Sequence, residues 1–212
     1  MQGIQVVIFD CDGVMFDTSQ ANTQYYNHIL DHFGKPGMTS AQFDYVHMHT
    51  VDQALAFLFD DPDELAAARA YRQNMSYLPF LKYMQIEPDL KSVLQRLRPR
   101  YKTAVATNRT DTMNRVLETH GLHAQFDLVV TALDVRNPKP EPDQLVKILE
   151  YFRCRSRAAV YIGDSPLDAR AAKSAGVPFV AFANRALSAD YHINRLGEIE
   201  GLLGNTTGPP VG

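Results

Sequence analysis

Cysteine is scarce in this chain: Cys11 and Cys154 are the two in 212 residues. They stand far apart and in no metal-ligand spacing, which excludes a disulfide framework and a cysteine-built zinc site and fits a reducing compartment. A charge excess is equally lacking. With 21 Lys and Arg against 24 Asp and Glu the formal net charge is -3, so no global field attracts nucleic acid or an anionic membrane. No apolar run approaches the length of a bilayer span, and the N-terminus shows neither the charged region nor the long apolar stretch of a signal peptide. A cytoplasmic protein with no nucleic-acid or membrane partner is the expectation. Repeats and low-complexity segments are missing too, apart from the closing GNTTGPPVG of residues 204–212, which buries almost nothing and is expected to be a flexible tail.

What is present supports a globular protein. A composition 45% hydrophobic and 21% charged suffices for one full core and a smaller second one. The chain opens with QVVIFDCDGVMFDTS, residues 5–19. Val6 to Phe9 reads as a short strand covered on both faces in a parallel sheet, hence central. It runs into Asp10 and Asp12, and two like charges in one place are unfavourable unless a cation sits between them. Cys11, lying between them in sequence, is expected to turn away as a small buried residue.

Periodicity then changes character along the chain. From Thr18 to Phe33 apolar residues recur at helical spacing, with Gly34 placed to end the helix. Further helices are expected at about 40–47, 51–59 and 62–77, and no strand is evident between Met15 and Ile86. After Pro88, helix and strand alternate strictly: DLKSVLQRLR, KTAVAT, TDTMNRVLETHG, FDLVVTA, EPDQLVKILEYF, AAVYIGD, SPLDARAAKSAG, PFVAFA. Such alternation implies right-handed crossovers and a parallel sheet with helices on both faces. The expected fold is therefore α/β, a doubly wound, Rossmann-like parallel sheet with an inserted α-helical domain. Residues 1–15 and 87–203 would form the core, 16–86 the helical insertion and 204–212 the tail.

Ligands of open α/β sheets bind outside the carboxyl ends of the strands. Here those ends carry Asp10 and Asp12, then Thr107 and Asn108, then Asp164 with Asp168 in the helix behind it, while Lys139 stands in the stiff NPKPEPD loop after FDLVVTA. Converging carboxylates form a hard-cation site. With few protein ligands, Mg2+ suits it better than Ca2+, because Mg2+ keeps several waters and also binds phosphate.

Four ordered segments, DCDGV at Asp10, ATN at Thr107, NPKPEPD at Lys139 and GDSPLD at Asp164, resemble the haloacid dehalogenase superfamily, in particular its phosphatases with a helical cap, such as phosphoglycolate phosphatase and β-phosphoglucomutase. The resemblance covers the chain to about Leu203. It implies that Asp10 is the nucleophile, Asp12 the general acid and base, Thr107 and Lys139 phosphate ligands, and Asp164 a magnesium ligand. Asp10 and Asp12 would share the metal, Asn108 would assist with phosphate, and Asp168 would sit in the outer shell or beside Lys139. The implied reaction is Mg2+-dependent hydrolysis of a small phosphorylated metabolite through an aspartyl-phosphate. Asp12 would then need a carboxyl that can be protonated near neutral pH, above its reference value of about 3.9.

Asp12 also argues against carbon–halogen cleavage, since a departing halide needs no proton. Phosphonate-cleaving relatives use a cap lysine, and nothing around Lys35 or Lys82 is tuned for that role. A β-phosphoglucomutase-like phosphoryl transferase shares the same core residues and stays open. A phosphoacceptor signalling module also combines acids, a Thr and a Lys on a doubly wound sheet, but is shorter and has no use for Asp12. Specificity is assigned to the cap, with residues 14–18 and 47–50 as candidates to face the site; His47 and His49 are expected to make ordinary polar contacts rather than bind metal.

Overall fold

The computed structural model describes residues 1–204, so residues 205–212, which make up nearly all of the tail, lie outside the described residues. The chain begins with β1 (Val6–Phe9), passes through β2 (Phe16–Asp17), and enters four helices, α1 (Ser19–His32), α2 (Ser40–Met48), α3 (Val51–Leu58) and α4 (Pro62–Gln73). It returns through β3 (Gln85–Ile86), then alternates α5 (Leu90–Leu97), β4 (Lys102–Ala106), α6 (Met113–Thr119), β5 (Leu128–Val130), α7 (Asp143–Phe152), β6 (Ala159–Gly163), α8 (Pro166–Ala175) and β7 (Phe179–Phe182). β8 (Tyr191–Ile193) and α9 (Ile199–Leu203) close it.

The main sheet has the order β5-β4-β1-β6-β7-β8, and every pairing in it is parallel. β1 is interior, flanked by β4 and β6. Successive side chains of a strand point to opposite faces, and the sequence VVIF exploits this fully. Val7 and Phe9 enter the core packed by α5, α6 and the C-terminal segment, whereas Val6 and Ile8 enter the core under α7 and α8. Burying each such side chain is worth about 1.5 to 3 kcal/mol, which anchors the strand that carries Asp10. Cys11 is buried in the first of these cores.

The helical insertion has a core of its own, built from Tyr25, Tyr26, Ile29 and Leu30 of α1 with Val46, Leu55, Leu58 and Phe59. Helix starts follow local chemistry: Thr39 and Thr50 form capping boxes with Gln42 and Gln53, and Asp61 accepts from two backbone amides at the start of α4. α4 ends at Gln73, and a separate 3₁₀ turn at Leu78–Tyr83 follows, so the helix expected over 62–77 is shorter, stopping before Pro79.

The insertion is joined to the sheet by a feature absent from the sequence expectation. β2 and β3 pair antiparallel, Phe16 with Ile86 and Asp17 with Gln85, so the outgoing and returning chains are stitched by a two-residue ribbon. A strand this short carries no readable alternation. β8, with only Ile193 buried, was likewise not anticipated.

Candidate active site

The carboxyl ends of β1, β4 and β6 are adjacent, and their following residues meet in one cleft. Asp10, Asp12, Thr107, Asn108, Lys139 and Asp164 all line it. Asp168 lies directly behind, fully buried at the start of α8.

Lys139 is the electrostatic centre. It is 3% exposed, and its Nζ lies 2.8 Å from Asp10 Oδ1 and 2.7 Å from Asp168 Oδ1, with the Tyr161 hydroxyl at 2.9 Å. Two carboxylates outweigh the cost of burying the ammonium and hold its pKa above the ordinary lysine value. The loop is fixed by hydrogen bonds rather than by its prolines alone. Gln144 accepts from the Lys139 N–H at 3.2 Å and donates to the Thr107 carbonyl at 2.6 Å, while Asn108 donates to the Lys139 carbonyl at 3.0 Å. Thr107 and Lys139 are thereby tied together.

Asp168 has both oxygens engaged. Oδ1 takes Lys139 and the Tyr161 hydroxyl, at 2.6 Å for the latter, and Oδ2 accepts from the Ser165 N–H and hydroxyl. Burial alone would raise its pKa, but Lys139 and these donors hold it below the carboxylate value. Asp10 and Asp164 differ. Burial first, then Asp168 and Asp12, push Asp10 up to about 7, and burial, Asp168, Asp10 and Asp12 push Asp164 up to about 8, against the partial relief that Lys139 supplies.

One oxygen each of Asp10, Asp164 and Asp168 lie within 4.8 Å of one another. Because Asp168 is already saturated, Asp10 and Asp164 are the pair with room for a hard cation. The turn after Asp12 leaves room for the Asp164 carboxylate. Gly13 has φ +81°, and a Cβ on it would come within 2.0 Å of Asp164 Oδ2, so only glycine lets that carboxylate lean over the loop. Crowded, destabilised carboxyls with all-oxygen donors fit a divalent ion of the magnesium type.

Asp12 is turned elsewhere. Arg109 donates to its Oδ1 from Nε at 3.0 Å and Nη2 at 2.7 Å. Burial opposes ionisation of Asp12, but the guanidinium prevails and holds the carboxyl below its ordinary value. The Asp12 side chain is therefore outside the carboxylate cluster, and in this arrangement it is an ion-paired base rather than a carboxylic acid. Arg109, Tyr161 and Gln144 were not among the sequence candidates. Arg109 was the most accessible of them, since it follows Thr107 by two residues at the same strand end.

From the insertion come Asn22, Tyr25, His47, His49, Arg72 and Tyr77. His47 Nδ1 pairs with the Asn22 amide at 3.1 Å, and His49 stacks on Tyr45 with centroids 3.9 Å apart. Arg72 reaches across to Asp111 at 2.8 Å and to Thr110 at 3.2 Å, closing helix α4 onto the loop after β4. The cavity in this cleft measures about 70 Å³, far below the roughly 300 to 1,000 Å³ of pockets for drug-sized ligands.

A doubly wound sheet presenting a buried Asp–Lys pair and further acids at its carboxyl edge, closed by a helical insertion, defines a hydrolase of the phosphatase class. The family model for haloacid dehalogenase-like hydrolases matches residues 7–182. The chain belongs to that family, whose members generally use a divalent metal. A crystal structure of a haloacid dehalogenase superfamily hydrolase of subfamily IA from Geobacter sulfurreducens is 36% identical, covers 95% of this chain and 97% of that one, and superposes with a TM-score of 0.79. Pyrophosphatase PpaX of Bacillus velezensis is 26% identical over 95% of this chain and 97% of its own length. A phosphorylated carbohydrates phosphatase of Thermotoga maritima is 27% identical over 82% of each. Among the described residues no helix is long and apolar enough to cross a membrane.

Proposed function

We propose that this protein is a Mg2+-dependent phosphatase of a small phosphorylated metabolite, acting through an aspartyl-phosphate on Asp10, with residues 1–15 and 87–203 as the catalytic core and 16–86 as a specificity cap. The observation that carries the reading is the buried contact between Lys139 Nζ and Asp10 Oδ1 at 2.8 Å. Lys139 and the Cys11 N–H, at 2.7 Å, both grip one oxygen of Asp10, which orients the carboxylate and leaves its second oxygen to attack phosphorus.

Asp10 and Asp164 would hold a divalent cation, which would supply charge compensation for the phosphoryl group. The chain's own groups do the rest. Lys139 supplies a fixed positive charge for the phosphoryl oxygens, and the Thr107 hydroxyl and Asn108 amide supply neutral donors at the neighbouring strand end. Asp12, once turned away from Arg109 and protonated, would deliver its proton to the departing oxygen and then take one from the water that cleaves the aspartyl-phosphate. Contacts such as Arg72 to Asp111 keep the cap over the cleft and limit water while the acyl phosphate exists.

The small cavity and the relatives named as a pyrophosphatase and a carbohydrate-phosphate phosphatase support a compact substrate. A screen for phosphate release from compact phosphate esters and pyrophosphate, with and without Mg2+ and beside Asp10→Asn, tests the assignment. Metal-dependent release that vanishes in the variant is expected; release unchanged by the substitution overturns it. A phosphoryl transferase acting on sugar monophosphates, the alternative reading, would return an isomer instead of free phosphate in the same screen.

A further inference from the structure

We infer that Arg109 is the receptor for a second anionic group of the substrate, a carboxylate or phosphate on the far side of the bond being cleaved, and that Asp12 occupies its place in the free protein. The inference rests on the phosphatase reading above and adds the residue that selects the substrate class.

Three observations converge. Arg109 is only 8% exposed, yet it lines the cleft; a buried guanidinium is costly unless something anionic meets it. What meets it is a single oxygen. Nε and Nη2 both donate to Asp12 Oδ1, so the guanidinium fork, which is shaped to grip two oxygens of a carboxylate or phosphate, is only half matched. Its remaining contacts are to neutral groups: Thr112 Oγ1 at 3.2 Å, the Tyr77 hydroxyl at 3.4 Å and Met84 Sδ at 3.9 Å, with the Tyr77 ring 5.0 Å from the guanidinium carbon.

The surroundings point the same way. Lys139 is matched within the strand-edge cluster by Asp10 and Asp168. On the insertion side the cleft is lined by Arg72, His47 and His49, and among its described lining residues the only carboxylates are Asp10, Asp12 and Asp164. With Asp10 and Asp164 committed to the reacting phosphoryl group and Arg72 paired with Asp111, Arg109 is the guanidinium lining the cleft whose acidic partner is Asp12. An anionic tail entering there takes over the Nε and Nη2 donors. Asp12 is then freed to turn toward the departing oxygen, so that recognition of the tail and availability of the proton carrier become one event. A substrate with a neutral tail leaves Asp12 where it is.

Matched pairs test this. 2-Phosphoglycolate against 2-hydroxyethyl phosphate exchanges a carboxylate for a hydroxymethyl group, and pyrophosphate against methyl phosphate exchanges a phosphate for a methyl; the two pairs separate the two anion types. Hydrogen bonds to a charged partner predict a preference in kcat/KM of about 10- to 100-fold for the anionic member of at least one pair. Arg109→Gln should bring that ratio to within a few-fold of one, with Arg109→Lys between. Equal kcat/KM within both pairs for the wild type, or equal losses on both members in the variants, overturns the inference while leaving the phosphatase reading intact. Absence of phosphate release from all four compounds with Mg2+ overturns the phosphatase reading instead. Calorimetric affinity of the unaltered protein for methylenediphosphonate against methylphosphonate reads Arg109 without turnover or substitution: tighter binding of the diphosphonate is expected, and equal affinities reject its role.

Discussion

Lys139 and Asp168 are joined at 2.7 Å inside the protein, with the Tyr161 hydroxyl 2.6 Å from the same carboxylate oxygen. Removing Lys139 strands the buried Asp168, and removing Asp168 leaves Lys139 with Asp10 as its one remaining acidic partner. Asp168→Asn keeps the shape of the side chain but takes away half of the charge that balances Lys139, while Asp10 remains beside it. Losing one partner of a buried pair costs about 3 to 5 kcal/mol; Tyr161→Phe, which removes a hydroxyl and leaves the pair, should cost about 1 to 3 kcal/mol. Urea denaturation of the three proteins tests the order. A Tyr161→Phe loss larger than that of Asp168→Asn contradicts it.

Asp10, which shares Lys139 with Asp168, and Asp164, with no ion pair of its own among the described residues, predict an unusual pH dependence. Asp10 and Asp164 titrate near 3.8 in the unfolded chain and at about 7 and about 8 in the folded, metal-free protein. Protons therefore favour the folded state: this contribution is whole below the unfolded value and is lost as pH rises through 7 and 8. The melting temperature of metal-free protein should fall between pH 6 and pH 9, and Mg2+ should raise it more at pH 8.5 than at pH 6.5, since protons and the cation compete for the same oxygens. A Mg2+ effect independent of pH would place the cation elsewhere.

These groups also mark what a sequence can reveal. Asp10, Thr107 and Asp164 were legible because each ends an apolar run, and parallel topology brings strand ends to one rim whatever the details of packing. Tyr161 and Gln144 were not. Tyr161 lies inside the apolar β6 pattern and looks like ordinary core, and Gln144 sits in a regular helix; their importance comes from reaching the Asp168 carboxylate and the Thr107 carbonyl, partners fixed only by tertiary packing. Arg109 had a signal, its place two residues after Thr107, but a competing reading as well. A basic residue past a strand end reads as solvated, and its partner Asp12 lies 97 positions away.

Gly13 offers a test of the loop. Its φ of +81° costs an L-residue about 1 to 2 kcal/mol, and a Cβ there would lie 2.0 Å from Asp164 Oδ2. Gly13→Ala should therefore displace Asp164 and weaken Mg2+ dependence at least about 10-fold, equivalent to about 1.4 kcal/mol, with a near-native circular dichroism spectrum. Gly121→Ala serves as the control: it has φ +66° but open space around it, so it should lose stability alone. Equal Mg2+ midpoints in both variants would detach Gly13 from the metal site.

Asp12 has two tasks in the proposed reaction, and they separate by leaving group. An alkyl phosphate expels a strongly basic oxygen, so Asp12→Asn should slow formation of the aspartyl-phosphate by about 10² to 10⁴, with no covalent species accumulating. p-Nitrophenyl phosphate expels a stable anion that needs no proton. There the first step should survive while the second, which requires Asp12 to take a proton from water, does not. Rapid mixing should then show a burst of nitrophenolate near one equivalent followed by a slow steady state, and the acid-quenched protein should carry phosphate. Asp10→Asn abolishes the burst because the attacking oxygen is gone. Equal slowing on both substrates with no burst would assign Asp12 to holding Arg109 in place and would remove it from proton transfer.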